Sequence, residues 1–321
     1  MSNSQFFSNC TADSIREAAA ALKAGHLVAF PTETVYGLGA DARNPEAVKR
    51  IYEVKGRPSD HPLIVHISSI NQLGKWATEI PEYAIDLARA FWPGPMTLIL
   101  KRTEMARDFI TGGQNTVGLR VPSDPIAFAL IQEFERISDS AIAAPSANRF
   151  GQVSPTSSND VYEEIGEYLW EEDLILEGGR SKVGIESTII DCSHNSPRIL
   201  RLGAITAPMI SQIKSLIYFS SSSKIRVSGS FERHYAPKAV IVFDVVPMPG
   251  QGLIAFSDVA TPEGVIRLAA PTTINHFAQV LYESLRRADA LNILEVVVFQ
   301  PKGEGLAAAI RDRLGKAAAG R

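Results

Sequence analysis

Two cysteines in 321 residues, Cys10 and Cys192, are too few and too far apart for a disulfide framework or a cysteine-based metal site. A reducing cytoplasm is therefore the compartment that we expect. No apolar run approaches the ~18 residues of a membrane-spanning helix, so no membrane partner is expected. Residues 1–7 contain neither a basic segment nor a long apolar core, and a signal peptide is not expected.

The sequence also lacks the common fingerprints of nucleotide and hydrolase sites. It contains no Gly-x4-Gly-Lys-Ser/Thr phosphate loop, no Gly-x-Gly-x-x-Gly, no His-Glu-x-x-His and no Gly-x-Ser-x-Gly. These absences argue against the common ATPases, dinucleotide enzymes, zinc proteases and α/β-hydrolases.

A basic excess is missing from the larger part of the chain. Residues 1–216 hold 20 Lys and Arg against 26 Asp and Glu, a net charge of −6, whereas residues 217–321 hold 12 against 9, a net charge of +3. Nonspecific nucleic-acid binding usually requires a basic excess. A local basic concavity stays compatible with these numbers, because net charge does not report how charge is distributed.

The patterns that are present predict two α/β domains. Helices and strands alternate irregularly, and several strands are separated only by turns, which favours a mixed sheet over a doubly wound one. A Ser-rich stretch without apolar periodicity then separates a smaller βαβ-type unit. We therefore predict a catalytic domain over residues 1–216, a linker over 217–238 and a second domain over 239–321.

Two helix starts have recognisable caps. Ser14 and Glu17 predict a capping box before the first helix, and Asn44 with Pro45 predicts the start of a second helix. The second helix delivers Lys55 and Arg57 to a turn stiffened by glycine and proline. Loops of this kind hold phosphates or carboxylates. The two cations would equally well complement the helix dipole, and these two residues alone do not decide between the roles.

Further polar residues lie in strands or at their ends. Each is explained about as well by a salt bridge or a turn as by a ligand. Taken together they provide four cations and several hydroxyl and amide donors without a nucleophile–base pair, which suits phosphoryl or nucleotidyl transfer. The cations are Lys55, Arg57, Arg120 and Arg201, and the neutral donors are Ser146, Asn148, Ser187 and Thr188.

Several of these motifs together resemble the YrdC-like family. The matching segments are Pro31 to Leu38, Lys55-x-Arg57, Pro62 to Ile67, Ser146-x-Asn148 and Glu186-Ser187-Thr188. Two others, Arg233 to Pro237 and Gly305-Leu306 with Ile310 to Leu314, resemble the linker and C-terminal domain of the long two-domain form, the threonylcarbamoyl-AMP synthases. The resemblance extends from about residue 13 to residue 319.

The resemblance implies both a fold and a reaction. The fold is a twisted mixed-sheet domain with a large concave cavity, joined to a smaller Rossmann-like domain by a linker that can cover the cavity. The reaction joins L-threonine, bicarbonate or CO2, and ATP into threonylcarbamoyl-AMP and pyrophosphate. Downstream proteins then transfer the threonylcarbamoyl group to an adenosine beside the tRNA anticodon, so direct tRNA binding is expected to be weak or indirect.

The resemblance also assigns residues to roles. Lys55 and Arg57 would be catalytic. Mg²⁺ would accompany ATP and keep most of its waters, so no protein side-chain ligand is expected. The ATP site would comprise Lys55, Arg57, His61, Thr116, Ser146, Asn148, Ser154, Arg201 and Tyr235, and the threonine site would comprise Thr34, His66, Arg120, Ala144 and Ser187.

One departure and two alternatives accompany this assignment. The family linker often has Pro before the glycine at position 229, whereas this chain has Ser228, which implies a looser linker. The first alternative is an RNA-binding module of the same fold without nucleotidyl transfer. The second is a carbamoyl-adenylate enzyme of metal-centre maturation, which would carry cysteine clusters that this sequence lacks.

Overall fold

The computed structural model describes residues 7–216, 225–229 and 235–319, and within them the strands form two separate sheets. The first sheet contains β1 (Phe7–Asn9), β2 (Val28–Phe30), β3 (Gly37–Asp41), β4 (Ile64–His66), β5 (Met96–Lys101), β6 (Thr116–Arg120), β7 (Ile142–Ala144), β8 (Leu174–Glu177), β9 (Thr188–Asp191) and β10 (Arg198–Arg201). The second contains β11 (Val240–Phe243), β12 (Gly252–Ile254), β13 (Ile266–Ala269) and β14 (Glu295–Val298).

Helices cover both sheets. In chain order they are α1 (Ala12–Ala24), α2 (Pro45–Lys55), α3 (Leu73–Trp76), α4 (Glu82–Phe91), α5 (Asp108–Thr111), α6 (Pro125–Ser138), α7 (Ser158–Ile165), α8 (Ala207–Ser211), α9 (Ile274–Ala290) and α10 (Leu306–Ala318). Short 3-10 turns occupy Ile70–Gln72 and Gly166–Tyr168. Among the described residues, no helix combines the length and the apolar character needed to cross a membrane.

The large sheet is mixed and buried on both faces. Its strand order is β1-β8-β2-β3-β7-β4-β6-β5-β9-β10, with parallel pairs such as β4–β6 and antiparallel pairs such as β3–β7. Alternate residues of β2 point to opposite faces, so Ala29 joins the core under α2, while Val28 and Phe30 join the core under α1 and α6. The prediction of a mixed sheet is confirmed.

Helix α2 forms as its caps predict. The Asn44 side chain accepts hydrogen bonds from the amides of Glu46 and Ala47, and Gly56 ends the helix in the left-handed region at φ 60°. This termination turns the chain sharply and sends Arg57 into the interior rather than out to solvent.

The cap predicted for α1 is wrong by one helical turn. Thr11 is the N-cap: its hydroxyl accepts from the Ser14 amide at 3.2 Å, and the Ser14 hydroxyl accepts from the Thr11 amide at 2.8 Å. Ser14 is therefore the third helical residue rather than the cap. The Thr-x-x-Ser pair satisfies the amides of Thr11 and Ser14, whereas the predicted Ser-x-x-Glu pair would have satisfied those of Ser14 and Glu17, one turn later.

Strand β3 has no counterpart among the predicted strands. It is glycine-rich, and glycine is unfavourable in strands because it contributes no side chain to packing. Here the missing side chains make room for neighbours: a Cβ on Gly39 would lie 2.8 Å from Ile142 Cγ2 and 2.9 Å from the Phe30 ring. Neighbouring side chains thus fill the space over the strand.

The second sheet is wholly parallel, with strand order β11-β14-β12-β13, and α9 and α10 cover one of its faces. The predicted smaller α/β domain is confirmed. Strand β11 ends at Phe243, because Asp244 takes a positive φ of 55° and turns the chain away.

A loop of the first domain approaches helix α9 of the second domain closely, backbone to backbone. A Cβ on Gly184, which has φ +79°, would lie 2.4 Å from Gln279 Cα on α9. The exact domain boundaries stay a prediction. Most of the predicted linker, including Arg233 of its signature, lies outside the described residues.

Candidate active site

A narrow cavity lies over one face of the large sheet, and its free space is only about 50 Å³. Strand pairing brings its residues together, because the register of parallel β4 and β6 sets His66 opposite Arg120, and antiparallel β7 sets Ala144 opposite Ile64. The remaining walls come from the turn before β3, the Pro145-Ser146 turn, the start of β9 and the end of β10. The lining residues are Thr32, Thr34, Val35, Tyr36, Gly37, Arg57, Ile64, His66, Arg120, Ala144, Pro145, Ser146, Glu186, Ser187, Arg201, Ser228, Gly229 and Tyr235.

Nine of the fourteen predicted site residues line this one cavity. They come from both predicted groups: Arg57, Ser146, Arg201 and Tyr235 from the ATP group, and Thr34, His66, Arg120, Ala144 and Ser187 from the threonine group. Five others, Lys55, His61, Thr116, Asn148 and Ser154, lie outside the lining.

Arg120 stands at the centre of one end of the cavity. Its Nη1 donates to the Thr34 hydroxyl at 2.9 Å, and its Nη2 lies 2.8 Å from a carboxylate oxygen of Glu33. Within the described residues, its Nε is buried without a hydrogen-bond partner, and its Nη2 meets Glu33 as an ion pair without hydrogen-bond geometry. Buried unsatisfied donors are costly, so this guanidinium has the capacity to bind a further acceptor.

His66 lies beside Arg120 and is neutral at physiological pH. Burial, with the charge of Arg120 next, lowers the pKa of His66 to about 3. Its ring packs edge-on against Phe30 with the centroids 5.9 Å apart. Within the described residues its buried Nδ1 has no hydrogen bond of good geometry, and the neutral ring lines the cavity.

Two further arginines form the other end. Arg57 Nη2 donates to Pro62 O and to the Ser228 hydroxyl, each at 3.0 Å. Arg201 donates to Ser187 O and Ser187 Oγ, each at 3.0 Å, and to Ser228 O at 2.9 Å. Burial, and then the neighbouring charge of Arg201, lowers the pKa of Arg57 to about 10, so it remains charged at neutral pH.

The Ser228–Gly229 turn and Tyr235 occupy much of this end. Binding pockets for small molecules usually hold roughly 300–1,000 Å³, far more than the free space here. Gly229 has φ +79°, and a Cβ there would lie 2.3 Å from the Tyr235 hydroxyl. Glycine is therefore required where this turn packs against the tyrosine.

Lys55 supports a loop instead of lining the cavity. Its ammonium donates to Ser146 O at 2.6 Å and to Asn148 O, and only 1% of the side chain is exposed. Burial lowers its pKa well below the ordinary value, with the charge of Arg57 adding to the effect. Asn148 in turn donates to the carbonyls of Arg149 and Gln152. Both residues therefore fix the turn that presents Ser146.

The remaining predicted residues have neighbouring positions. His61 packs against Phe150 with ring centroids 5.3 Å apart. Thr116 lines a small adjoining cavity that shares Ile64 and Ser228 with the main one. Ser154 donates to a Glu186 oxygen at 2.6 Å, directly behind the lining.

Several charged or polar residues of the site had no predicted role. Glu33 pairs with Arg120, and Thr97 shares a 2.8 Å hydrogen bond with the Ser187 hydroxyl. Glu186 accepts hydrogen bonds from Tyr282 and Arg313, which belong to the second domain. Glu33 and Glu186 stand within recognised motifs, but no spacing pattern connects residues 282 and 313 to them.

A larger groove of about 1480 Å³ lies elsewhere on the first domain. Of the predicted site residues it contains Thr116 alone. Two of its four lining cations are paired with carboxylates, since Lys101 pairs with Glu79 at 2.5 Å and Arg102 pairs with Asp108 at 2.7 Å. Size alone does not make it the reactive site.

Metal ligands are not gathered in the part of the chain that the structure describes. No three His, Cys, Asp or Glu side chains there are grouped closely enough to hold a metal ion. The cavity instead offers three lining guanidiniums, hydroxyl donors, a neutral imidazole and one carboxylate, a set suited to binding anions.

Comparison with known proteins agrees with this geometry. Residues 20–203 match the family model described as "Telomere recombination", which covers the Sua5, YciO and YrdC proteins, and residues 205–319 match the model described as "Threonylcarbamoyl-AMP synthase, C-terminal domain".

Full-length relatives match along nearly the whole chain. The threonylcarbamoyl-AMP synthase of Pyrococcus abyssi is 40% identical over 94% of this chain and 93% of its own length, and that of Bacillus subtilis is 38% identical over 96% and 93%. The crystal structure of P. abyssi Sua5 complexed with L-threonine superimposes with a TM-score of 0.88 at 36% identity, covering 98% of each chain.

Proposed function

The chain belongs to the threonylcarbamoyl-AMP synthase family, and from this premise we propose that its central cavity condenses L-threonine, bicarbonate or CO2, and ATP into threonylcarbamoyl-AMP and pyrophosphate. The enzyme is a nucleotidyl transferase whose product serves threonylcarbamoyl-adenosine modification of tRNA. The observation that carries the proposal is the convergence of Arg57, Arg120 and Arg201 on one cavity with neutral donors between them.

Arg120 receives the threonine carboxylate. Its Nε is a buried donor without a hydrogen-bond partner, and a guanidinium binds carboxylate oxygens in pairs through Nε and Nη2, so the threonine carboxylate would compete with Glu33 for Nη2. Thr34 accepts from Nη1 and Glu33 pairs with Nη2, and together they hold the guanidinium in place. Neutral His66 adds a hydrogen-bonding group without adding charge, and Ala144 leaves space for a small side chain.

Arg57, Arg201 and Ser146 bind the nucleotide. Both guanidiniums hydrogen-bond to Ser228, Arg57 to its hydroxyl and Arg201 to its carbonyl, and both are buried, so their charges are weakly screened. Lys55 contributes by fixing the turn of Ser146 and Asn148. Because Ser228 and Gly229 fill the space between these groups, ATP binding requires this turn to be displaced.

The chemistry requires positioning and charge stabilisation rather than a strong base. The threonine amine adds to CO2 and loses a proton, which gives a carbamate. A carbamate oxygen then attacks the α-phosphorus of ATP, a new P–O bond forms, and the bond to the β-phosphate oxygen breaks to release pyrophosphate. The carbamate is already an anion, and Arg57 and Arg201 stabilise the charge that moves onto the leaving pyrophosphate.

The remaining participants are part of the proposal. Mg²⁺ enters bound to the triphosphate and keeps most of its water, since Glu186, the carboxylate lining the cavity, is already hydrogen-bonded to protein groups. Proteins that accept the threonylcarbamoyl group act downstream, in the cytoplasm. A stand-alone RNA-binding role is not favoured, because the full-length relatives are synthases and the first domain has no basic excess.

Threonine-dependent pyrophosphate release tests the function. The purified protein is incubated with Mg·ATP, bicarbonate and L-threonine, and parallel reactions omit threonine or replace it with L-valine, which keeps the shape and loses the hydroxyl. We expect pyrophosphate and threonylcarbamoyl-AMP only in the reaction that contains threonine, and not in those that omit it or contain L-valine. Release that is indifferent to threonine would contradict the proposal.

A further inference from the structure

Glu186 is an anion in the wall of a cavity proposed to bind a polyphosphate. It lines the cavity beside Ser187 and is 5% exposed. A bare carboxylate there would repel ATP, and it would also compete with ATP for the nearby cations. The structure must therefore hold this charge in a way that leaves those cations available.

Three donors hold the Glu186 carboxylate, and two of them come from the second domain. Ser154 donates at 2.6 Å, the Tyr282 hydroxyl of α9 donates at 2.9 Å, and Arg313 Nε of α10 donates at 2.8 Å. Although burial acts to raise it, the charges of Arg313 and Arg201 hold the pKa of Glu186 at about 2. The group is therefore a carboxylate throughout the physiological range.

Arg313 is fully buried, with 0% exposure, and each of its nitrogens has a partner. Besides Glu186, Nη2 donates to Leu202 O at 2.8 Å and Nη1 donates to Asp312 at 2.5 Å. Leu202 directly follows Arg201 in the chain. Arg313 thus holds both the carboxylate and the backbone at the end of the strand that bears Arg201.

Without Arg313, the Glu186 carboxylate would be attracted to Arg201. Arg201 is buried, contributes to the electrostatic environment of Glu186, and donates to Ser187, the residue after Glu186. Removing Arg313 would leave a buried, uncompensated carboxylate, which is strongly unfavourable. The carboxylate would then turn toward Arg201 and withdraw it from the nucleotide.

We propose that Arg313 of the C-terminal domain is a positioning residue of the adenylate site, which pairs with Glu186 and thereby leaves Arg201 free to bind ATP. The inference deepens the proposed function and rests on the part of it that places ATP in this cavity. It gives the second domain a defined electrostatic part in nucleotide binding.

The test compares four full-length proteins: wild type, Arg313→Met, Arg313→Lys and the double variant Glu186→Gln/Arg313→Met. The matched control is Arg311→Met, which removes an arginine from the same helix whose hydrogen bonds go to Pro301 and Gly303 within its own domain. Calorimetry measures the dissociation constant of Mg·ATP without threonine. Threonine-dependent pyrophosphate release and the thermal midpoint are measured in parallel.

We expect Arg313→Met to weaken Mg·ATP binding by about 10- to 100-fold, less than the loss of a buried charge that contacts the ligand itself, because Arg313 acts through Arg201. The double variant should recover at least about tenfold of that loss, because the uncompensated anion is gone. Arg313→Lys should fall between wild type and Arg313→Met, and Arg311→Met should bind as wild type does.

Other results overturn the proposal. A role in packing alone would lower the thermal midpoint in Arg313→Met and in the double variant alike, with no recovery of ATP affinity. Unchanged affinity in Arg313→Met also refutes it. If Arg313→Met does not fold, the ATP affinities of Arg313→Lys and the double variant are compared with that of the wild type. Affinity reduced in Arg313→Lys and nearer to wild type in the double variant supports the proposal, and unchanged affinity in Arg313→Lys refutes it. Wild-type ATP binding without threonine-dependent pyrophosphate would refute the proposed function while leaving this inference standing, and a wild type that does not bind Mg·ATP would overturn both.

Discussion

Replacing Lys55 with Met separates a loop-supporting role from a direct phosphate contact. The substitution keeps an unbranched side chain of similar length and removes the ammonium, so the buried carbonyls of Ser146 and Asn148 lose their donor. Hydrogen bonds to charged groups contribute about 1.5–3 kcal/mol each. Part of that loss is offset because a desolvated ammonium, whose pKa is lowered by burial, is removed as well.

The expected net loss is about 2–3 kcal/mol of unfolding free energy, since two charge-assisted bonds disappear and one desolvation cost is relieved. For a domain of this size that lowers the thermal midpoint by about 4–12 °C. The turn of Ser146 lies in the shared cavity, so the affinities for ATP and threonine should both fall.

Chemical denaturation and separate titrations of Mg·ATP and threonine measure these effects. Lys49→Met is the matched control: it lies on the same helix, is 66% exposed, and loses only an ion pair with Glu53 at 3.6 Å, worth about 0.3–0.5 kcal/mol. An unchanged midpoint together with weaker binding of ATP alone would show that the ammonium contacts phosphate directly, and the loop-support reasoning would be refuted.

Three further substitutions test other parts of the structure. Arg120→Lys should raise the KM for threonine by about 10- to 100-fold and leave ATP affinity nearly unchanged, because an ammonium cannot bind a carboxylate through two parallel bonds; equal losses for both substrates would argue against this assignment. His66 has a folded pKa of about 3 against an unfolded 6.5, so stability is lost as pH falls below 6.5, and between pH 7 and 5 the wild type should lose about 2 kcal/mol more than His66→Asn; parallel denaturation curves for the two proteins would refute the neutral buried imidazole. Gly184→Ala should destabilise the chain by about 1–3 kcal/mol in denaturation experiments and weaken ATP binding, because its Cβ would meet the backbone of Gln279; a neutral effect would mean that the interface relaxes freely.

Local structure was predictable where a residue type is favoured at one structural position, such as the start of a helix. Asn44 and Pro45 predicted the start of α2, since each satisfies a specific requirement of a helix N-terminus. Where two signals competed, as at Thr11 and Ser14, the pattern located the helix but misplaced its first turn. Strand β3 was missed because its stability comes from Phe30 and Ile142 packing over it rather than from its own side chains.

The site was predictable as a set of residues but not as a set of contacts. Motif resemblance named nine residues that line one cavity, because the motifs lie at the strand ends and turns that surround it. It could not show that the Lys55 ammonium is directed at two carbonyls, or that Glu33 braces Arg120. Those facts depend on strand register and helix packing, which bring together residues without any sequence relation.

The pairing of Glu186 with Arg313 joins positions 127 residues apart in the chain. Synthesis proceeds from the amino end at roughly 5–20 residues per second, so about 6–25 s separate the appearance of the acid from that of its basic partner. During that interval the Glu186 carboxylate can accept hydrogen bonds only from water and from groups of its own domain, such as Ser154. The hydrogen bond between Glu186 and Arg313 is therefore among the last that a newly made chain can form. The wall of the cavity at Glu186 is complete only after the final helix has packed against the first domain.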